Sequence, residues 1–329
     1  MTRGPSTVLR TGVLLVNLGT PDAPTAGAIR RYLREFLSDP RVVELPRALW
    51  LPILYGFILP FRPARLAKKY QLIWTAEGSP LLAISRRQAQ HLRSALRERG
   101  LTDVHVALAM RYGRPGIAEA MRELNEHGIK RLLVLPLYPQ YSATTTASVL
   151  DAVFAELGRK RSLPELRTVN QYHDHPAYVA ALAQSVRAHW QAHGRGDHLL
   201  MSFHSIPQQY VDKGDPYFDQ CQRTAAVLAE ALDRTRAWSV SFQSRLGRAP
   251  WLQPYTDQEV PRLAKAGVKK LDVICPGFST DCLETLEEVA IRYAQDFERA
   301  GGERLRYIPA LNDSPAHIDA LADLVAANL

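Results

Sequence analysis

Leu199–Ile206 reads LLMSFHSI, an apolar run that stops at Phe203, His204 and Ser205 and meets Pro207. A short run bounded by turn residues reads as a fully buried strand of a parallel sheet, covered by helices on both faces. In an open α/β sheet the ligand crevice lies outside the carboxyl ends of the strands. The run therefore puts His204 at a strand tip, facing a crevice. An imidazole titrates near neutral pH and serves as acid, base or metal ligand. A single histidine is as readily structural, so a second stretch has to decide.

The same signature recurs outward from this stretch. Gly12–Gly19, Val104–Met110 and Arg131–Tyr138 read as strands in the first half. Leu199–Phe203, Trp238–Gln243, Leu271–Cys275 and Leu305–Ile308 do so in the second. Helical spacing falls between them, at Ala28–Leu37, Leu81–Arg99, Ile117–His127 and Thr144–Leu157. HGIKRLLVLPLYP (127–139) parallels AGVKKLDVICPGF (266–278), and each leads into a polar turn and a helix. Parallel strands need helical crossovers. The fold class is therefore α/β, with two similar lobes, each a parallel sheet of about four strands flanked by helices, and a cleft between them. The first lobe is expected at 1–157 and the second at 165–310, joined by the linker Gly158–Pro164, GRKRSLP. The remaining residues, 311–329, carry a helix, Pro315–Asn328, that crosses back to the first lobe.

Composition bounds the function. The 329 residues are 46% apolar and 22% charged, an ordinary globular balance. The net charge is +8. A basic chain suits nucleic acid, an anionic membrane surface or an acidic ligand. Its arginines are scattered, however, and no nucleic-acid motif accompanies them, so no nucleic-acid partner is expected. Three cysteines, Cys221, Cys275 and Cys282, without CxxC spacing, argue for a reducing compartment and against a zinc or disulfide framework. The start, MTRGPSTVLR, has no secretory pattern, so a cytoplasmic location is expected.

Val42–Phe61, VVELPRALWLPILYGFILPF, is unusually apolar. Pro46, Arg47, Pro52 and Pro60 interrupt it, whereas a spanning helix needs about 20 apolar residues without a break. It reads as an exposed apolar lip at the crevice, with Trp50, Leu54 and Phe57 as its contact residues; a buried core helix is the alternative. Arg62, Arg65, Lys68 and Lys69 follow, the basic neighbours of an interfacial segment.

The second informative stretch is Gly277–Glu288, GFSTDCLETLEE, at a strand end that opens a helix. Asp281, Glu284 and Glu288 stand at i, i+3 and i+7, which puts three carboxylates on one helical face. A histidine facing a carboxylate stripe across a cleft can bind a divalent cation or relay protons. The chain has no HExxH, P-loop, GxGxxG or GxSxG pattern, which disfavours zinc hydrolysis, phosphoryl transfer and dinucleotide redox.

NLGTPD (17–22), EGSPL (77–81), RYG (111–113), YPQYS with TTT (138–146), SFHSIP (202–207), KGDPY (213–217), SFQSRLGRAPWLQP (241–254) and DCLETLEE (281–288) together resemble the ferrochelatases, in their bacterial form. The resemblance runs over almost the whole chain. It implies two Rossmann-like lobes around a deep cleft and the insertion of Fe2+ into protoporphyrin IX, a lyase reaction of haem biosynthesis that releases two protons. By the same resemblance His204 and Glu284 are catalytic and, with Glu288 and Asp281, handle the metal. Leu18, Ser79, Arg111, Tyr112, Tyr138, Gln140, Tyr141, Trp251 and Phe278 match positions around the macrocycle. The porphyrin and Fe2+ are the implied partners, with weak peripheral attachment to the inner face of the cytoplasmic membrane, as monomer or dimer. Some relatives hold a [2Fe-2S] cluster on four cysteines. With three here and no cysteine-rich tail, no cofactor is expected. A cobalt or other tetrapyrrole chelatase, or a non-catalytic two-lobed haem binder, would share the cleft.

Overall fold

A computed structural model describes residues 10–233, 237–247 and 249–329. The opening MTRGPSTVL and Arg248 of the SFQSRLGRAPWLQP run lie outside the described residues. Eight strands among the described residues form two parallel sheets. The first contains β1 (Thr11–Gly19), β2 (Val104–Tyr112), β3 (Arg131–Pro136) and β4 (Glu165–Thr168), in the order β2-β1-β3-β4. The second contains β5 (His198–His204), β6 (Ala237–Gln243), β7 (Lys270–Ile274) and β8 (Arg304–Ile308), in the order β6-β5-β7-β8. The two orders are the same, so the repeat read at 127–139 and 266–278 is a repeat of topology: β3 and β7 occupy equivalent places. Each is followed by a turn and a helix that starts as a π-helix, Ala143–Ala147 in one lobe and Glu284–Tyr293 in the other.

The central strands are buried along their middles, as strands covered on both faces must be, and open partly at their tips, Leu18 and His204. Their tips, Asn17–Gly19 and Phe203–His204, converge on the space between the lobes. Gly19 is required there. It has φ +111, and a Cβ would fall 1.7 Å from the Tyr112 carbonyl oxygen.

The boundary between lobes falls later than the linker 158–164. Glu165–Thr168 pairs with β3 as the outer strand of the first sheet. ELRT has no apolar run because an edge strand is half exposed and carries charge; Glu165 pairs with Arg131 and Arg167. The lobes also share one apolar core, which runs from Val13 and Leu15 to Met201, Phe203 and Ile308. The last helix, Pro315–Ala326, packs on Pro80–Glu98 from the first lobe and on Pro176–His193 from the second.

Val42–Phe61 divides by face. Arg47–Ile53, the π-turn Leu54–Ile58 and Leu59–Ile73 form one continuous helical run. Pro52 and Pro63 lie inside it rather than ending it, the intervening π-turn absorbing the altered hydrogen bonding. Trp50 and Leu54 are core, not contact residues: the Trp50 indole donates to the Leu37 carbonyl at 2.7 Å, and Leu54 is fully buried. The exposed apolar set is Leu45, Leu49, Ile53, Tyr55, Phe57 and Phe61, with Phe57 69% and Phe61 67% exposed. No helix among the described residues is long and apolar enough to cross a membrane.

Candidate active site

Strand β5 delivers His204 to the cleft, and the register pairs it with Gln243 at the tip of β6. His204 Nδ1 lies 2.6 Å from the Ser205 carbonyl. A carbonyl only accepts, so Nδ1 carries a proton, and in the neutral ring the lone pair is on Nε2. Buried Gln243 accepts from Ser202 Oγ at 2.6 Å and donates to the Glu284 carbonyl at 2.8 Å. The start of the π-helix is thereby tied to the strand beside His204. A π-helix bonds i to i+5, a wider turn than the α-helix, and such turns concentrate at functional sites. Glu284 and Glu288 both face the cleft from it.

These groups line one cavity of about 830 Å³, within the range of cofactor-sized sites. Leu18, Tyr138 and Gln140 face it from the first lobe. His204, Trp251, Phe278, Glu284 and Glu288 face it from the second. The Phe278 ring centroid is 6.5 Å from that of His204. Gln140 is steadied by a 2.9 Å bond to Thr224 Oγ1.

The two glutamates differ in environment. Glu284 forms no ion pair among the described residues, and its charge is felt all around it. Burial pushes the Tyr32 and Tyr70 hydroxyls far up, and Glu284 pushes them further. Burial pushes the Cys282 thiol up; the charge of Glu284 and a hydrogen bond to it add to that. Glu288, in contrast, accepts from Ser244 N at 3.1 Å, Ser244 Oγ at 2.5 Å and Tyr293 OH at 2.6 Å, and pairs with Arg292 at 2.8 Å. Burial pushes its carboxyl up, but those hydrogen bonds and the charges of Arg292 and His204 outweigh it, so the group is held below its ordinary value.

Other candidates sit behind the walls. Asp281 does not share the cavity face with Glu284 and Glu288, because it precedes the helix instead of lying on it. Its carboxylate accepts from Tyr307 OH at 2.6 Å, Asn312 Nδ2 at 2.7 Å and Thr285 Oγ1 at 3.0 Å. Arg111 and Tyr112 turn to Asp39, at 2.5 and 2.8 Å, and to Ser148, away from the cavity. Ser79 stands just before the Pro80–Glu98 helix, and its Oγ accepts from Thr20 Oγ1 at 2.7 Å. Tyr141 lies outside the cavity, its backbone N–H donating to Gln220 at 2.7 Å. Among the described residues no three His, Cys, Asp or Glu side chains gather so as to hold a metal ion. His204, Glu284, Glu288 and Asp281 are thus not one coordination cage: Asp281 points elsewhere and Glu288 is already satisfied.

Some lining residues escaped the sequence reading. Arg62 and Lys69, taken there as membrane-facing, line the cavity instead with Ile58 and Leu66. Positions 58, 62, 66 and 69 share one helical face, a spacing legible in the letters. Lys69 pairs with Glu287 at 3.0 Å. Arg62 has no ion-pair partner among the described residues; burial pushes its guanidinium down, against the pull of Glu284. Asn17 bridges Ser85 and Thr280 at 3.0 and 3.1 Å, a link between the lobes that no local pattern announces.

The family model described as Ferrochelatase matches residues 10–329. A ferrochelatase of Thioalkalivibrio sulfidiphilus is 56% identical over 97% of this chain and 86% of its own length. One of Nitrosococcus oceani is 54% identical over 98% of this chain and 88% of its own. Among solved structures, SirB from Bacillus subtilis with Fe3+ superposes with a TM-score of 0.56 at 10% identity, over 97% of this chain and 95% of that one. CbiX, described as the terminal enzyme of sirohaem biosynthesis in denitrifying bacteria, gives 0.51 at 14% identity, over 97% and 99%. At such identities the structural matches speak for the fold alone.

Proposed function

The chain belongs to the ferrochelatase family, and from that premise we propose how its cavity divides the work of inserting Fe2+ into a porphyrin. The reaction is a lyase step of haem biosynthesis: the metal enters the macrocycle and two pyrrole protons leave. Protoporphyrin IX is the substrate assigned here.

One observation carries the division of roles. His204 Nε2 is the free nitrogen of an imidazole whose Nδ1–H is held by the Ser205 carbonyl. It is the base that takes pyrrole protons, one at a time, with the unpaired Glu284 carboxylate stabilising the imidazolium and receiving protons in turn. Gln243 holds the two groups in register through the Glu284 carbonyl. Glu288, kept ionised by its donors, extends the carboxylate surface toward which Fe2+ is drawn. Leu18, Tyr138, Trp251 and Phe278 supply apolar walls for a flat macrocycle, and Arg62 is a cation for one of its carboxylates. This reading assigns the chain no iron–sulfur cluster, because its three cysteines fall short of the usual four ligands.

Leu45, Leu49, Ile53, Tyr55, Phe57 and Phe61 form an apolar face that rests on the cytoplasmic side of a bilayer, next to exposed Arg65 and Lys68. A poorly soluble substrate then enters from the lipid.

The test is an anaerobic assay with protoporphyrin IX and Fe2+, run on the wild type and on Glu284→Gln. Wild-type protein forms haem. Glu284→Gln loses turnover while its porphyrin affinity, read by fluorescence quenching, is retained. Collapse of binding with turnover of the bound fraction unchanged would make Glu284 a recognition group instead.

A further inference from the structure

The turn that presents Phe278, Thr280 and Glu284 to the cavity is held from behind by a closed polar network. Asn312 is its centre. Its Oδ1 accepts from the Asp281 backbone N–H at 2.8 Å, and its Nδ2 donates to the Asp281 carboxylate at 2.7 Å. Its own N–H donates to the Ser279 carbonyl at 3.1 Å. Its carbonyl accepts from Gln88 Nε2 at 2.9 Å and His317 Nδ1 at 2.7 Å. Gln88 comes from the first lobe and also donates to the Ser279 carbonyl at 3.1 Å. Asn312 itself stands at φ +49, a left-handed conformation that asparagine tolerates better than most residues.

Asp281 is the other half of the network. One carboxylate oxygen accepts from Tyr307 OH and Thr285 Oγ1, the second from Asn312. A carboxylate that passes metal needs lone pairs turned to the path, and these are turned to protein donors. The buried carboxylate is tolerated there because Tyr307, Thr285, Asn312 and the Ala310 N–H all donate to it. Thr280 and Cys282 on either side line the cavity; Asp281 alternates to the back.

We infer that Asp281 and Asn312 are positioning residues: together they set the Ser279–Thr285 segment and act on metal insertion through the placement of Glu284. The inference rests on Glu284 working at the reacting centre. A misplacement of about 1 Å can cost on the order of 100-fold in rate.

The experiment compares Asp281→Asn, Asn312→Ala and Tyr307→Phe with wild type and with Glu284→Gln. It measures kcat, separate KM values for Fe2+ and protoporphyrin IX, and porphyrin affinity by fluorescence quenching. Positioning predicts that Asn312→Ala loses roughly 10–100-fold in kcat, with both KM values near wild type. The loss is the same whether Fe2+, Zn2+ or Co2+ is inserted. The double variant of Asp281 and Asn312 is little worse than the poorer single one, because the two act as a unit. Tyr307→Phe removes one donor, keeps the fold and gives a smaller fall of the same kind. A raised KM for Fe2+ with kcat restored at saturating iron would overturn the inference and put Asp281 on the metal path. Wild-type kcat in Asn312→Ala and Tyr307→Phe would overturn it too. Glu284→Gln separates the layers: if that variant turns over normally, the role of Glu284 fails; if it alone is disabled, only the anchor fails.

Discussion

The role proposed for His204 rests on one hydrogen bond as much as on its place. With Nδ1 bonded to the Ser205 carbonyl, Nε2 is the nitrogen that the proposed reaction would use to accept a proton, without a turn of the ring. Removing it should therefore cost chemistry, not binding. His204→Ala is expected to lose roughly 10²–10⁴-fold in kcat while porphyrin quenching and the thermal transition stay near wild type. A folded variant with normal turnover would sink the assignment. The residues behind the wall carry the complementary lesson. Arg111, Tyr112 and Ser148 converge on Asp39, just before the lip. They brace the segment that reaches the cavity without facing it themselves.

At the scale of elements, the helical run from Arg47 to Ile73 has three faces in three environments. One packs into the core through Trp50, Leu54, Leu59 and Tyr70. A second lines the cavity through Ile58, Arg62, Leu66 and Lys69. The third is apolar and exposed. The faces can be told apart by mutation. Leu49→Ser, Phe57→Ser and Phe61→Ser together should weaken sedimentation with anionic vesicles and raise KM for porphyrin, leaving Tm within a few degrees. Trp50→Ala should instead destabilise the fold by about 3–5 kcal/mol, the usual cost of emptying a buried indole site. Unchanged vesicle binding in the triple variant would mean that the apolar face serves another purpose. If the proposed membrane contact is made, exposed Arg65 and Lys68 would each contribute about 1 kcal/mol near an anionic surface, and added salt should weaken vesicle binding.

At the scale of the whole molecule, the last helix packs on elements of both lobes. His317 on that helix is fully buried. Burial pushes its imidazole from an ordinary 6.5 down to about 4, against the hydrogen bond to the Asn312 carbonyl, which works the other way. The unfolded chain therefore binds a proton that the folded one refuses. Stability from the neutral ring is complete above pH 6.5 and is lost as pH falls from there toward 4, by about 3 kcal/mol over the interval. Melting curves across that range should show the slope, and His317→Gln should flatten it while lowering Tm at pH 7. An unchanged slope would place the acid sensitivity in other groups.

Much of this was legible in the letters. Buried parallel strands betray themselves as apolar runs because both faces are covered, and a duplicated lobe repeats those runs in order; this is why β1 to β3 and β5 to β8 could be read. Strand β4 could not, since an edge strand of four residues carries charge like a loop. His204 was legible because strand tips in this class of fold face the crevice. Glu284 and Glu288 were legible because helical spacing shows a shared face. By itself, then, the sequence determined the class of fold, which follows from local periodicity and from motif resemblance, and it singled out His204 and Glu284 as candidates. Only the tertiary structure decided which way each side chain turns. Asp281 belongs to Asn312 and Tyr307, Arg111 to Asp39, and Arg62 to the cavity, because those choices depend on partners that stand far away along the chain and meet only once the tertiary fold has formed.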